Sequence, residues 1–205
     1  MSFEPVYVRV LWCVVVIAAV EGVLRFLYIQ DEDMHNFKWR IWRLCGAVTA
    51  MLCSFFLYPG EDGEVFGLVG FFCINLYLAA GVAMDILLKQ VTDLVQYGGL
   101  VGGGILILQM SPPPEISKEL ILYTFIQYCV FRKMYGRADV IGFVLCALFL
   151  AATGKGIGVY VGHMSLSFGM LAMVQAFRRN IASNGNLKQP VALFPYIMCG
   201  FLLII

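Results

Sequence analysis

Charge is what this chain has least of. Lys and Arg together number 14, Asp and Glu 13, and only two histidines accompany them in 205 residues. With 13% charged against 61% hydrophobic residues and a mean hydropathy of +0.85, the composition excludes an ordinary soluble globular domain. The period-two alternation of a membrane β-barrel is also missing, so apolar spans are read as helices. Cys13, Cys45, Cys53, Cys73, Cys129, Cys146 and Cys199 all fall in apolar runs, and none forms a CxxC pair. They are read as small buried hydrophobes, not as a zinc site or a disulfide framework. The first apolar run has no basic segment before it and no small-residue cleavage site after it, which predicts a retained span and not a signal peptide.

What the chain does have is a succession of apolar runs. A hydrocarbon core about 30 Å thick takes roughly 20 helical residues to cross. Runs can be drawn at 6–29, 39–58, 64–88, 94–110, 116–134, 139–153, 156–177 and 190–205. The breaks, such as "YPGEDGE", "SPPPE" and "TGKG", carry the Pro, Gly and charge clusters that stop an apolar helix. The fold class is therefore an all-α polytopic membrane protein of about eight transmembrane helices, in one membrane domain over 1–205. Placing alternate breaks on opposite sides gathers Arg25, Lys38, Arg40, Arg43, Lys89, Arg132, Lys133, Arg137, Arg178, Arg179 and Lys188 on one face. Only Arg9, Lys118 and Lys155 remain for the other, so the rich face is predicted to be cytoplasmic and both termini external.

Two acids then stand at the cytoplasmic ends of different predicted helices. Asp139, in "MYGRADVIGF", opens one span, and Asp85, in "MDILLKQVTD", closes another. A plain reading of Asp139 and of Asp93 is helix N-capping, where a carboxylate meets free amide N–H groups and the positive end of the helix dipole. Asp85 resists that reading, because it lies near a C-terminal end, where the dipole disfavours an anion. An acid there belongs against a protein interior, a partner or a water-filled cavity. Two carboxylates converging on one water do not both ionise cheaply, so one holds a proton while the other acts as base.

The pattern "YGRAD" resembles the GxGD signature of the type IV prepilin and preflagellin peptidases, membrane-embedded aspartyl enzymes. That family follows its first aspartate with a D-x5-[IV]-P-[ND] stretch, and "DILLKQVTD" supplies Asp85, Val91, Thr92 and Asp93 at the matching offsets. "KQPVALFPYIMCGFLL" is similar to the opening of the family's last helix, with Pro190, Leu193 and Pro195 in comparable places. The resemblance covers a six-helix core over 64–205 and leaves 1–58 as two additional N-terminal helices. It implies Asp85 and Asp139 as the catalytic pair, Gly136 and Ala138 as the close-approach positions, and Asp93, Pro190 and Pro195 as motif support. It also implies an aspartic endopeptidase that cuts the cytoplasmic leader of pilin-, pseudopilin- or flagellin-like precursors in a bacterial or archaeal cytoplasmic membrane. Departures stand at Ala138 for the second Gly, Thr92 for Pro, and Leu87 and Ile141 where basic residues are common. The paired CxxC motifs of the bifunctional members are missing, so the likeness is to a peptidase-only form without the methyltransferase region.

No metal or organic cofactor is implied, and nucleic acid is not among the expected partners. Those are a pilin-like precursor, the lipid bilayer and, as an open alternative, a second copy of the chain. "YGGLVGGG" has GxxxG spacing and no following Lys, so it predicts close helix packing and not a phosphate loop. His163 with Ser165 or Ser167 lacks the GxS pattern of a serine protease. Glu21 and Arg25, four apart, are expected to pair with each other. The rival readings are a small transporter relaying protons or cations through Asp85 and Asp139, and an inactive peptidase-like scaffold suggested by Leu87 and Ile141.

Overall fold

A computed structural model describes residues 6–57, 65–181 and 192–205, and these contain helices and no strand. The long helices are α1 (Val6–Gln30), α2 (Trp39–Phe56), α3 (Val65–Leu88), α4 (Asp93–Met110), α5 (Pro114–Ile126), α7 (Arg137–Ala152), α8 (Ile157–Ile181) and α9 (Phe194–Ile204). A short 3-10 turn, Glu32–Asn36, links α1 to α2, while a π segment, Gln127–Phe131, carries α5 without a break into α6 (Arg132–Tyr135). Each predicted apolar run thus has a helical counterpart. Among the described residues, three helices are long and apolar enough to cross a membrane: Tyr7–Gln30, Leu68–Leu88 and Ile157–Arg178.

The helix ends follow local chemistry. Ser111 turns the chain after α4 in a left-handed conformation, and Pro114 opens α5, where its missing N–H is no loss. Lys89 takes a positive φ at the end of α3, and Gly154 does the same after α7. Thr92, and not Asp93, stands at the N-cap position of α4 and makes no side-chain capping bond; Asp93 is the first helical residue, so the expected N-cap role of Asp93 is not seen. The π segment is the element that periodicity did not foretell. Gln127, fully buried, lies within it and gives its amide N–H to Met164 Sδ at 3.3 Å.

The two helices bearing Asp85 and Asp139 are the centre of the bundle. α3 packs against α1, α2, α4, α7 and α9, while α7 packs against α3, α4, α5, α8 and α9. Between them α4 is drawn in by its glycines: a Cβ on Gly102 would overlap Cys73, one on Gly99 would press on Tyr77 and Leu145, and one on Gly103 would meet Leu145 and Leu148. Small residues give backbones the close approach that, in lipid, replaces the hydrophobic drive between helices. Gly98 has open space instead, so the close packing runs through three of the four glycines in the two predicted pairs.

The outer faces are strongly apolar. Leu11, Leu44, Phe55, Leu108, Ile121 and Met173 are all more than 60% exposed, far more uncovered hydrocarbon than a water-soluble surface carries. Cys129 and Cys199 share such faces, so only some of the cysteines are the buried hydrophobes expected; Cys53 and Cys146 are. Glu21 pairs across the helices with Arg43, Nε to Oε1 at 2.8 Å, in place of the expected pairing with Arg25 along α1. The interhelical bond ties α2 to α1.

Candidate functional site

The site begins with a helix whose end is in the wrong place for an anion. Asp85 lies in the last turn of α3 and is 8% exposed. Its own helix offers it only carbonyl groups. The missing donors come from α9: the Phe194 N–H gives a 2.9 Å hydrogen bond to Asp85 Oδ2, and the Leu193 N–H also bonds it. The first amides of a helix have no intrahelical acceptor, and Pro195 in the first turn of α9 has no N–H at all. The N-terminus of α9 therefore supplies both free N–H groups and the positive end of a helix dipole to the carboxylate. That contact resolves why Asp85 tolerates its place in α3.

Asp139 approaches from the other central helix. It is half-buried in the first turn of α7, with Gly136 as the residue flanking the helix, so the expected N-cap role belongs to Gly136. Its carboxyl lies within coulombic range of Asp85, and both Tyr77 and Tyr135 feel its charge. No hydrogen bond within the described residues ties the Asp139 carboxyl down, which leaves its oxygens for water or a ligand. Tyr135, one turn before it, is held by a short hydrogen bond from its hydroxyl to Gln127 Oε1 and by rings of Phe131, Phe143 and Phe168.

Gly136 makes the approach possible. With φ 97° and ψ 166° it occupies a region open essentially to glycine alone. A Cβ there would stand 3.9 Å from Asp139 Oδ2, on the side the carboxyl faces. We expect Gly136→Val to destabilise the α6–α7 junction by about 1–3 kcal/mol. A lowered thermal unfolding temperature in detergent would register it, and an unchanged one would mean the backbone there has another option.

Beneath the two acids sits a wedge. The Phe194 ring is fully buried and packs edge-on to Tyr77 with centroids 5.4 Å apart. A Cβ on Gly81 would come within 2.7 Å of that ring, and one on Gly142 within 3.0 Å. Gly81 precedes Asp85 by one turn of α3, and Gly142 follows Asp139 by one turn of α7. The same residue thus separates the two central helices with its ring and holds Asp85 with its N–H. Tyr77 adds a buried hydroxyl without a hydrogen-bond partner among the described residues and borders an apolar groove of about 300 Å³, lined also by Cys73, Ala80, Leu94 and Gly98.

The remaining sequence candidates spread around this centre. Ala138 is half-buried against the core, while Asp93 is exposed at the start of α4 and in coulombic range of Arg137, whose guanidinium donates to Tyr97 Oη at 2.9 Å. Pro195 lies in the first turn of α9, and Pro190 falls outside the described residues. Ile141 is 1% exposed within the core, and Leu87 is half-buried at the end of α3. His163 is not paired with a serine side chain: its Nε2–H donates to Ile197 O at 2.9 Å, and Ser167 Oγ donates to His163 O at 2.9 Å. It clamps α9 to α8.

Sequence reasoning named both acids but missed Phe194, Gly81, Gly142 and Tyr135. The available signal for Phe194 was the Pro immediately after it, which leaves that amide at a helix start. Comparison with protein-family models, with curated proteins and with solved structures yields no match. The chemistry therefore rests on the arrangement itself: two acids from central helices, one held by backbone donors and one open, at the meeting point of α3, α7 and α9.

Proposed function

We propose that this chain is an integral-membrane aspartic endopeptidase of the prepilin-peptidase type. It removes the short cytoplasmic leader of a pilin-, pseudopilin- or flagellin-like precursor just before that precursor's hydrophobic helix. In this reading the eight long helical rods all cross the bilayer, both termini are external, and the acid pair faces the cytoplasm of a bacterial or archaeal cell. N-methylation of the product falls to another protein.

What supports the reading is that Asp85 and Asp139, on helices separated in the chain by α4, α5 and α6, lie within coulombic range of each other, with the Phe194 ring packed against a glycine one turn from each. One carboxylate takes a proton from water and the other, protonated, polarises the scissile carbonyl. Asp85, whose ionised form is favoured by the α9 N–H and the positive end of that helix, suits the base; Asp139, without a hydrogen bond to its carboxyl among the described residues, suits the protonated partner. The carbonyl carbon gains the hydroxide, the peptide C–N bond breaks, and the leaving amine collects a proton from the pair. The apolar groove beside Tyr77 gives a hydrophobic segment an approach from the bilayer.

Co-expression with pilin-like precursors tests the reading, with the products weighed by mass spectrometry. A single cut ahead of the hydrophobic helix is expected. No cut in any of several precursors, together with proton or cation flux in proteoliposomes that depends on Asp85, would support the transporter reading instead.

A further inference from the structure

A second feature lies away from the acids, between α1 and α2. A groove of about 330 Å³ runs there, with Arg40 and Arg43 on one wall, Glu21 on the other, and Ile17, Leu44 and Ala47 along its length. Gly46 deepens the packing below it, since a Cβ there would press on Leu24. The groove joins a cationic end to an apolar channel.

The charges are not equivalent. Glu21 takes the Nε–H of Arg43, which orients that guanidinium and leaves the terminal amino groups of its fork for another acceptor. Arg40 is exposed and makes no ion pair or hydrogen bond among the described residues. Two cations against one anion leave the groove one positive charge in excess. The aromatic side chains Tyr28 and Trp39 pack together next to Arg40, with centroids 5.4 Å apart. Such rings collect where hydrocarbon gives way to head groups, which in the bilayer-embedded reading puts Arg40 and Arg43 at the depth of lipid phosphates.

We infer that this groove binds an anionic phospholipid, its phosphate on Arg40 and Arg43 and one acyl chain along Ile17, Leu44 and Ala47. The single excess charge matches a phosphodiester, and Ile17, Leu44 and Ala47 give the first methylenes of an acyl chain an apolar contact that inorganic phosphate does not use. The inference uses the reading of the chain as bilayer-embedded and is independent of the peptidase reading. The lipid bridges α1 and α2 beside the Glu21–Arg43 ion pair and so steadies the two helices that precede the acid-bearing core.

Native mass spectrometry of the detergent-purified chain tests this, with phosphatidylglycerol, phosphatidylcholine and inorganic phosphate as separate probes. Arg40→Gln removes the unpaired cation at an exposed position, and Arg132→Gln serves as a control at another exposed cation. Phosphatidylglycerol is expected to bind the parent and Arg132→Gln alike, and Arg40→Gln about fivefold more weakly, the effect of one basic residue near an anionic lipid surface. Equal binding to Arg40→Gln and the parent would overturn the site. So would phosphatidylcholine binding as tightly as phosphatidylglycerol, and inorganic phosphate binding equally well would overturn the acyl channel.

Discussion

Precursor cleavage is expected to fall by roughly a hundred- to ten-thousandfold in Asp85→Asn and by a similar factor in Asp139→Asn, the size that follows when a proton-transfer group is removed from a transition state. Asn keeps the volume of Asp, so packing is preserved at both places. At position 85 the amide oxygen still accepts the Phe194 N–H, and at position 139 no hydrogen bond of the carboxyl to the described residues is lost. Both variants should therefore insert and unfold like the parent, which separates lost chemistry from lost structure. Because the acids act as a unit on one water, the double variant should be no slower than the slower single one. The check is a rate for each variant at matched protein level, beside a thermal unfolding scan. Two independent losses that multiply would mean that the acids do not share a step.

Phe194→Ala acts on the other side of that distinction. The ring is fully buried between Gly81 and Gly142, and removing it opens a cavity between the central helices. Phe-to-Ala changes in packed cores cost about 3–5 kcal/mol. Here the lower end is expected, since helices in lipid associate through packing more than through removal of water. The backbone N–H that reaches Asp85 survives the substitution, yet nothing then fixes its distance from α3. Unfolding in detergent should shift to lower temperature, and cleavage should fall with it. Phe194→Leu, which refills much of the slot, should recover most of both. An alanine variant as stable as the parent would show that α9 is positioned by His163 and its bond to Ile197 O instead.

How much of this was legible in the sequence depended on the kind of interaction. Apolar runs and their Pro, Gly and charge breaks are local, so each predicted run overlaps a helix, with boundaries displaced by a few residues at α5 and α8, and among the described residues three of these helices are long and apolar enough to cross a membrane. The acids were visible because a carboxylate inside an apolar run is expensive and needs a reason. What supports them was not visible, because it is made by contacts distant in the chain. Phe194 and Asp85 are separated by 109 positions. Gly81 and Gly142 look like any other small residues until the ring between them is in place. Glu21 offered a neighbour at the right spacing on its own helix and took Arg43 on the next, a choice that only the α1–α2 packing determines. The π segment depends on Gln127 finding Tyr135 and Met164, which no local period encodes.

The central claim is that Asp85 and Asp139 work together on one peptide bond. The measurement that tests it most directly uses the purified chain in liposomes with a pilin-like precursor, and the same preparation of Asp85→Asn and Asp139→Asn, with product masses followed in time. The expected result is one cut ahead of the hydrophobic helix by the parent and the same cut at least about a hundredfold more slowly by either variant. Full-rate cleavage by either variant would contradict the claim.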